Sequence, residues 1–232
     1  MDKIKVCAIS DLHGYLPTDI VPCDLVIIAG DILPLAYQSD VLRAEIWTMN
    51  KLLSWVQNLP CTQCIGVLGN HSIAYSRKPE ILNRLYKATK NKIQFLENEE
   101  VNLIFEDKVI KIWGSPWCKI FGNWAYMASD EKLKEYYSTM PTSCDIVITH
   151  DAPAAGDMGV ITEGFQKGVN AGNKVLAKII KEKQPQIAIS GHIHSSNHKL
   201  EKKKGYGNTL FATVSLVNES YEPVYEPLYF EI

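Results

Sequence analysis

Ile9-Ser10-Asp11-Leu12-His13-Gly14 closes an apolar run, from Lys3 to Ile9, that is too short for anything but a buried strand. In an extended backbone, residues i and i+2 point to one face, so the Asp11 carboxylate and the His13 imidazole could hold one cation. Gly14 lets the chain turn sharply away. The stretch reads as half of a metal site on a strand end. It needs partners, because Asp-x-His in a loop is more often solvated than ligating.

Partners follow at Gly30-Asp31, Gly69-Asn70-His71, Thr149-His150 and Gly191-His192-Ile193-His194, behind apolar, β-branched segments. Together with His13 these motifs hold five of the chain's six histidines. Singly, a strand-end Asp is often a helix cap and a lone His a satisfied core or surface group. Five such motifs at strand ends make that reading improbable. In their order, from Asp11 to His194, they resemble the calcineurin-like metallophosphoesterase superfamily, and the compact chain with Gly114-Ser115-Pro116-Trp117 resembles its small phosphodiesterase-like and phosphohydrolase members.

The resemblance implies an α/β fold, a four-layer α/β/β/α sandwich of two mixed β-sheets flanked by helices. It also implies that Asp11, His13 and His194 bind one metal, that Asn70, His150 and His192 bind a second, and that Asp31 bridges them. A bridging carboxylate can hold two cations about 3.5 to 4 Å apart, close enough to lower the pKa of a shared water and polarise one phosphoryl group. The expected reaction is hydrolysis of a phosphodiester or phosphomonoester by in-line attack of a metal-bridging hydroxide. Imidazole, carboxylate and amide ligands without a motif cysteine suit two divalent ions of manganese, iron or zinc. His71 follows Asn70 and is not a ligand in the family, which leaves it to bind a phosphate oxygen or protonate the leaving alkoxide. One position departs from the pattern. The family usually carries an acidic residue after Gly-Asn-His, where this chain has Ser72, so the expectation is either a weaker acid at His71 or another carboxylate, such as Asp151, in its place.

Composition agrees with this class. The 232 residues carry a formal charge of -2, with 22% charged and 46% hydrophobic residues, so no general field attracts polyanions. A nucleic-acid partner is therefore not expected, and a metal-dependent nuclease ranks below a small-phosphoester hydrolase; a scaffold that keeps the fold without efficient catalysis is the alternative from another class. No apolar run approaches a membrane span and the first strand starts near Ile4, so the expectation is one cytoplasmic domain over residues 1–232 with no membrane partner. The six cysteines are too dispersed for a disulfide scaffold. Cys61-Thr62-Gln63-Cys64 has the spacing of a redox pair or half a zinc site, but no second pair exists, and buried thiols are the commoner outcome.

Along the chain, Asp24 to Ala29 and Cys64 to Leu68 read as further buried strands. Val41, Leu42, Ile46, Met49, Leu52, Leu53 and Val56 recur at helical spacing, predicting a helix from Ser39 to Asn58 capped by Ser39 or Asp40. A second helix is expected from Glu80 to Lys90 behind Pro79, a third from Ser129 to Tyr137, a fourth from Gly172 to Lys183. Ile93 to Leu96, Val101 to Phe105 and Val109 to Gly114 predict the start of a more antiparallel second sheet, with Glu106-Asp107-Lys108 as a hairpin tip. Thr209 to Val214 and Leu228 to Ile232 are expected to close that sheet. The aromatic loop Gly114 to Trp124 suits either a wall of the substrate site or an apolar plug. Lys202-Lys203-Lys204 reads as a solvated hairpin rather than a phosphate clamp.

Overall fold

In the computed structural model, which describes residues 3–232, the apolar run before Asp11 forms β1 (Lys5–Ile9). β2 (Leu25–Ala29) is buried throughout, because Val26 and Ile28 pack under helices while Leu25 and Ile27 face a second sheet. That two-sided cover is what its unbroken apolar run requires. Next come α1 (Val41–Trp47), one π-helical turn (Thr48–Leu52) and α2 (Leu53–Asn58). Asp40 caps the start, its Oδ1 accepting from Arg43 N–H at 3.0 Å. β3 (Gln63–Val67) leads to α3 (Ile73–Arg77), a turn of helix the sequence pattern does not announce, and α4 (Glu80–Ala88) follows Pro79.

β4 (Ile93–Phe95) precedes the hairpin of β5 (Glu99–Phe105) and β6 (Lys108–Ser115), whose tip falls at Glu106 and Asp107 as expected. The aromatic loop is framed by the short parallel pair β7 (Cys118–Lys119) and β8 (Met127–Ala128). Then come α5 (Asp130–Ser138), β9 (Ile146–Thr149) and α6 (Lys174–Lys183), capped by Asn173 Oδ1 accepting from Leu176 N–H at 2.9 Å. β10 (Ile187–Ser190), β11 (Glu201–Lys202), β12 (Leu210–Thr213) and β13 (Leu228–Glu231) complete the chain.

The strands form a five-stranded sheet, ordered β13-β1-β2-β3-β4, and a six-stranded sheet, ordered β11-β12-β10-β9-β6-β5. Each has a parallel centre; β13 edges the first sheet antiparallel, β11 and β5 the second. The sheets stack through Ile27, Ile65, Ile112, Ile148 and Ile189. Helices α1 to α4 cover the first sheet around Leu52, Val56, Tyr75 and Leu85, and α5 and α6 cover the second around Leu133, Tyr137, Leu176 and Ile180. This is the four-layer α/β/β/α sandwich.

Two strands lie elsewhere than their sequence suggests. β4 pairs parallel with β3, Cys64 opposite Ile93, and so extends the first sheet instead of opening the second. β13 pairs antiparallel with β1, Cys7 opposite Tyr229, closing the first sheet's open edge. Lys203 also differs from expectation: its side chain is buried and paired with Glu201 at 2.7 Å and with Asp157, so it is a structural tie. All six cysteines are free thiols, and burial pushes Cys61 up to about 11 and Cys64 well above its ordinary value. Among the described residues no helix is long and apolar enough to cross a membrane.

Candidate metal centre

Every sequence motif lies just beyond the carboxyl end of a parallel strand: Asp11 after β1, Asp31 after β2, Asn70 and His71 after β3, His150 after β9, His192 and His194 after β10. The two sheets thus aim their strand ends at one place, as open α/β sheets do at their ligand sites. The route is not the simple alternation that the strand pattern suggests. Asp11, His13, Asp31 and His192 all have positive φ, at 53°, 42°, 51° and 68°. Each sits past its strand in the left-handed region, a conformation costing non-glycine residues about 1–2 kcal/mol. Strain of this kind persists where the surroundings over-determine it. Here Asp11 N–H donates to Gly30 O at 3.1 Å, His13 N–H to Asp31 O at 2.9 Å and Gly14 N–H to Ile32 O at 2.9 Å, zipping the first two loops together.

Two side-chain clusters result, Asp11 with His13 and His194, and Asp11 with Asp31 and His150, each with donor atoms mutually close enough to hold a cation. His194 Nε2 lies 3.5 Å from Asp11 Oδ1, and His150 Nε2 lies 3.2 Å from Asp31 Oδ2 and 2.8 Å from Asn70 Oδ1. The other ring nitrogens are tied back: His150 Nδ1 to Ala29 O at 2.9 Å, His194 Nδ1 to Asn218 O at 3.0 Å. Such bonds fix the ring and leave Nε2 as the ligand atom. His192 approaches by its backbone, N–H donating to Asp11 Oδ2 at 3.1 Å, with its ring 5.1 Å from that of His150. His13 carries the plainest sign of an intended cation: both ring nitrogens are buried and neither has a partner. The donor set fits divalent metal.

The electrostatics agree. Burial opposes ionisation of Asp11 and Asp31, yet neighbouring imidazoles, His194 and His150 foremost, hold both carboxyls well below the usual carboxylate range. Burial, helped by the His194 and His71 charges and opposed by Asp31 and Asp11, pushes His13 down to about 4, and burial with the charge of His150 pushes His192 down to about 3. Both are therefore neutral near pH 7, the form that ligates metal. For His150 burial is outweighed by the Asp31 charge and hydrogen bond, which raise it to about 9. Its proton sits between Asp31 and Asn70, where a cation would replace it. The space is cut to fit: a Cβ on Gly69 would stand 2.3 Å from Asp31 Oδ1 and 2.7 Å from His150 Nε2.

His71 is anchored by its N–H donating to Asp31 Oδ1 at 2.9 Å, and its Nδ1–H donates to Gln38 Oε1. Gln38, not Asp151, is therefore its side-chain partner. Asp151 is buried, accepting from Lys119 N–H at 3.0 Å and Asn173 Nδ2 at 2.8 Å, and Ser72 Oγ accepts from Gly69 N–H at 3.2 Å inside its own loop. The aromatic loop reaches the site, with Trp124 4.7 Å from the His71 ring and Phe121 5.1 Å from that of His192. Sequence reasoning missed Gln38 and Tyr221, whose ring lies 4.9 Å from His13 and 5.1 Å from His194. No local signal marked either, since each meets the motifs only through the fold.

Comparisons with known proteins point to one family. A family model described as calcineurin-like phosphoesterase matches residues 4–196. Human metallophosphoesterase domain-containing protein 1 is 25% identical over 250 residues, covering 98% of this chain and 70% of its own. A UPF0046 protein of Caenorhabditis elegans is 24% identical, covering 100% of this chain and 60% of its own. Among solved structures, the phosphopantetheinyl hydrolase of Mycobacterium tuberculosis shares the fold, with a TM-score of 0.56 at 14% identity over 94% of this chain and 91% of that one. The chain belongs to the calcineurin-like phosphoesterase family, a membership that implies metal-dependent hydrolysis of a phosphoester.

Proposed function

We propose that residues 1–232 act as one domain that hydrolyses small phosphoesters with two divalent cations, one held by Asp11, His13 and His194, the other by Asn70, His150 and His192, with Asp31 between them. The observation that carries this reading is His13, a half-buried residue whose two ring nitrogens are both buried and unpartnered beside the ionised Asp11. When bound, such a pair of ions lowers the pKa of a water and neutralises charge on the phosphoryl group. Asp31 ties the centre to the motif after β3 by accepting the His71 N–H. Gln38 keeps the proton of neutral His71 on Nδ1, so Nε2 is the nitrogen left for the ester. From there the imidazole orients a phosphoryl oxygen and, once protonated, supplies a proton to the leaving alkoxide. The free thiols fit a reducing compartment, and we place the protein in the cytoplasm.

The test is hydrolysis of bis(p-nitrophenyl) phosphate against p-nitrophenyl phosphate by the manganese-loaded protein, with metal content measured in parallel. His71→Ala should bind two ions and lose about 10²-fold or more in kcat on the preferred ester. Asp31→Ala should lose both activity and at least one ion. Full activity in Asp31→Ala, or a wild type that binds two ions and cleaves neither ester, overturns the reading.

A further inference from the structure

Three aromatic rings from two loops each lie against an imidazole of the centre: Phe121 on His192, Trp124 on His71, and Tyr221 on His13 and His194. All three stay substantially exposed, Phe121 51%, Trp124 37% and Tyr221 41%. Rings of the core, such as Tyr75, Trp113 and Tyr137, are by contrast fully buried. An aromatic side chain held partly against the site and partly in water gains most when a ligand covers its wet part.

Two of these rings are set in place before any ligand arrives. The Trp124 indole lies across Gly122, where an added Cβ would stand 2.8 Å from Nε1, so the glycine lets the loop fold beneath the ring. Ala125 N–H then donates to Asn70 O at 3.1 Å, fastening the loop to the Asn70-His71 motif. Tyr221 has φ of +62°, a strained value for a side chain of its size. Asn218 enforces it: its backbone O accepts from Tyr221 N–H at 2.9 Å, and its Oδ1 from Ser220 N–H at 2.9 Å and Glu222 N–H at 3.0 Å. Because the Asn218 carbonyl also accepts from His194 Nδ1, one residue sets both an imidazole and the ring beside it. Backbone strain kept at a site edge to present a half-exposed ring points to a ligand, not to packing.

We propose that the centre selects phosphoesters whose organic group is a planar aromatic ring, and that Trp124 and Tyr221, the two rings flanking His71, are the residues that select it. The ligand class rests on the phosphoesterase reading for the phosphoryl end and on ring geometry for the other.

Binding of non-hydrolysable mimics to the full-length, manganese-loaded protein tests it without turnover. Titration calorimetry would compare phenylphosphonate with cyclohexylphosphonate, equal in carbon number but not planar, and the 5′-methylenephosphonate analogue of adenosine 5′-monophosphate with that of ribose 5-phosphate, which asks whether a purine serves as the ring. At least one ring-bearing ligand should bind about fivefold or more tighter than its partner. That preference should collapse in Trp124→Leu and Tyr221→Leu and survive in Trp124→Phe, with manganese content followed in each. Equal affinities within both pairs in the wild type overturn the proposal, as does a preference unchanged in both leucine variants. Ring preference without hydrolysis of any ester sinks only the esterase reading; hydrolysis without ring preference sinks only this one.

Discussion

At Gly69 and Gly30 the candidate metal centre depends on the absence of a side chain. A Cβ on Gly30 would meet His150 Nδ1 at 2.2 Å, as one on Gly69 would meet Asp31 and His150. Gly69→Ala therefore crowds Asp31 and His150 without replacing a ligand residue. The expected result is loss of bound manganese together with a stability decrease of about 1–3 kcal/mol from overpacking. Gly168→Ala is the control, since nothing lies within 4 Å of its Cβ. It should cost about 1 kcal/mol for its φ of +87° and leave metal content intact. Metal assay and urea denaturation of both variants check this, and a Gly69→Ala protein with full metal content would show the cradle to be looser than its contacts. At this scale the sequence was legible where residue type carries the chemistry. Asp11, His13, Asp31, His71 and His150 could be picked from type and strand-end position. The reason given for pairing Asp11 with His13, strand alternation, does not survive, because both residues lie past β1 in the left-handed region. Gln38 stayed hidden because it is 33 residues from His71 and no ligand pattern contains it.

Among the elements, the two well-capped helices have caps of different weight. Asp40 at α1 is solvent-facing, and Asp40→Ala should cost about 1 kcal/mol. Asn173 at α6 is buried and does two things, capping Leu176 N–H while donating Nδ2 to the buried Asp151 carboxylate. Asn173→Ala removes the cap and one of the two donors to a carboxylate whose Oδ1 already lacks a partner. The two losses should sum to about 2–4 kcal/mol. Equal destabilisation of the two variants by urea denaturation would mean that Asn173 acts as a cap alone. Both helices were readable from periodicity and capping residues, which are local signals. The π-turn at Thr48–Leu52 was not, being set by tertiary contact: Thr48 Oγ1 donates to Ala44 O at 2.7 Å and meets Tyr75 Oη at 2.7 Å. β4 and β13 were readable as strands but not as members of the first sheet, because a strand's partner is fixed by residues far away in sequence.

For the whole molecule, the centre is where the two sheets are joined by charge rather than by apolar packing. Asp11 and Asp31 come from the first sheet, His150 and His194 from the second, and the ion pairs between them cross from one sheet to the other. Two anionic carboxylates drawn together in a buried site repel each other, and a divalent cation held by these residues would relieve that repulsion. Any cation that binds the folded chain and not the unfolded one stabilises it by about 2.7 kcal/mol at a hundredfold excess over Kd. For a chain of 232 residues that corresponds to a rise in Tm of roughly 5–10 °C. Chelator-stripped protein should therefore melt lower than the manganese-loaded form by about that amount, with the shift reversed on reloading. His150→Ala should lower the shift without abolishing it, because it removes the imidazole paired with Asp31 and leaves the Asp11, His13 and His194 group intact. His71→Ala should preserve it, because His71 touches Asp31 only through its backbone N–H. Scanning calorimetry of the three proteins with and without manganese separates these outcomes. A His150→Ala protein that still gains the full increment would mean that the remaining ligands, His192 and His194 of the second sheet among them, hold the cations without His150.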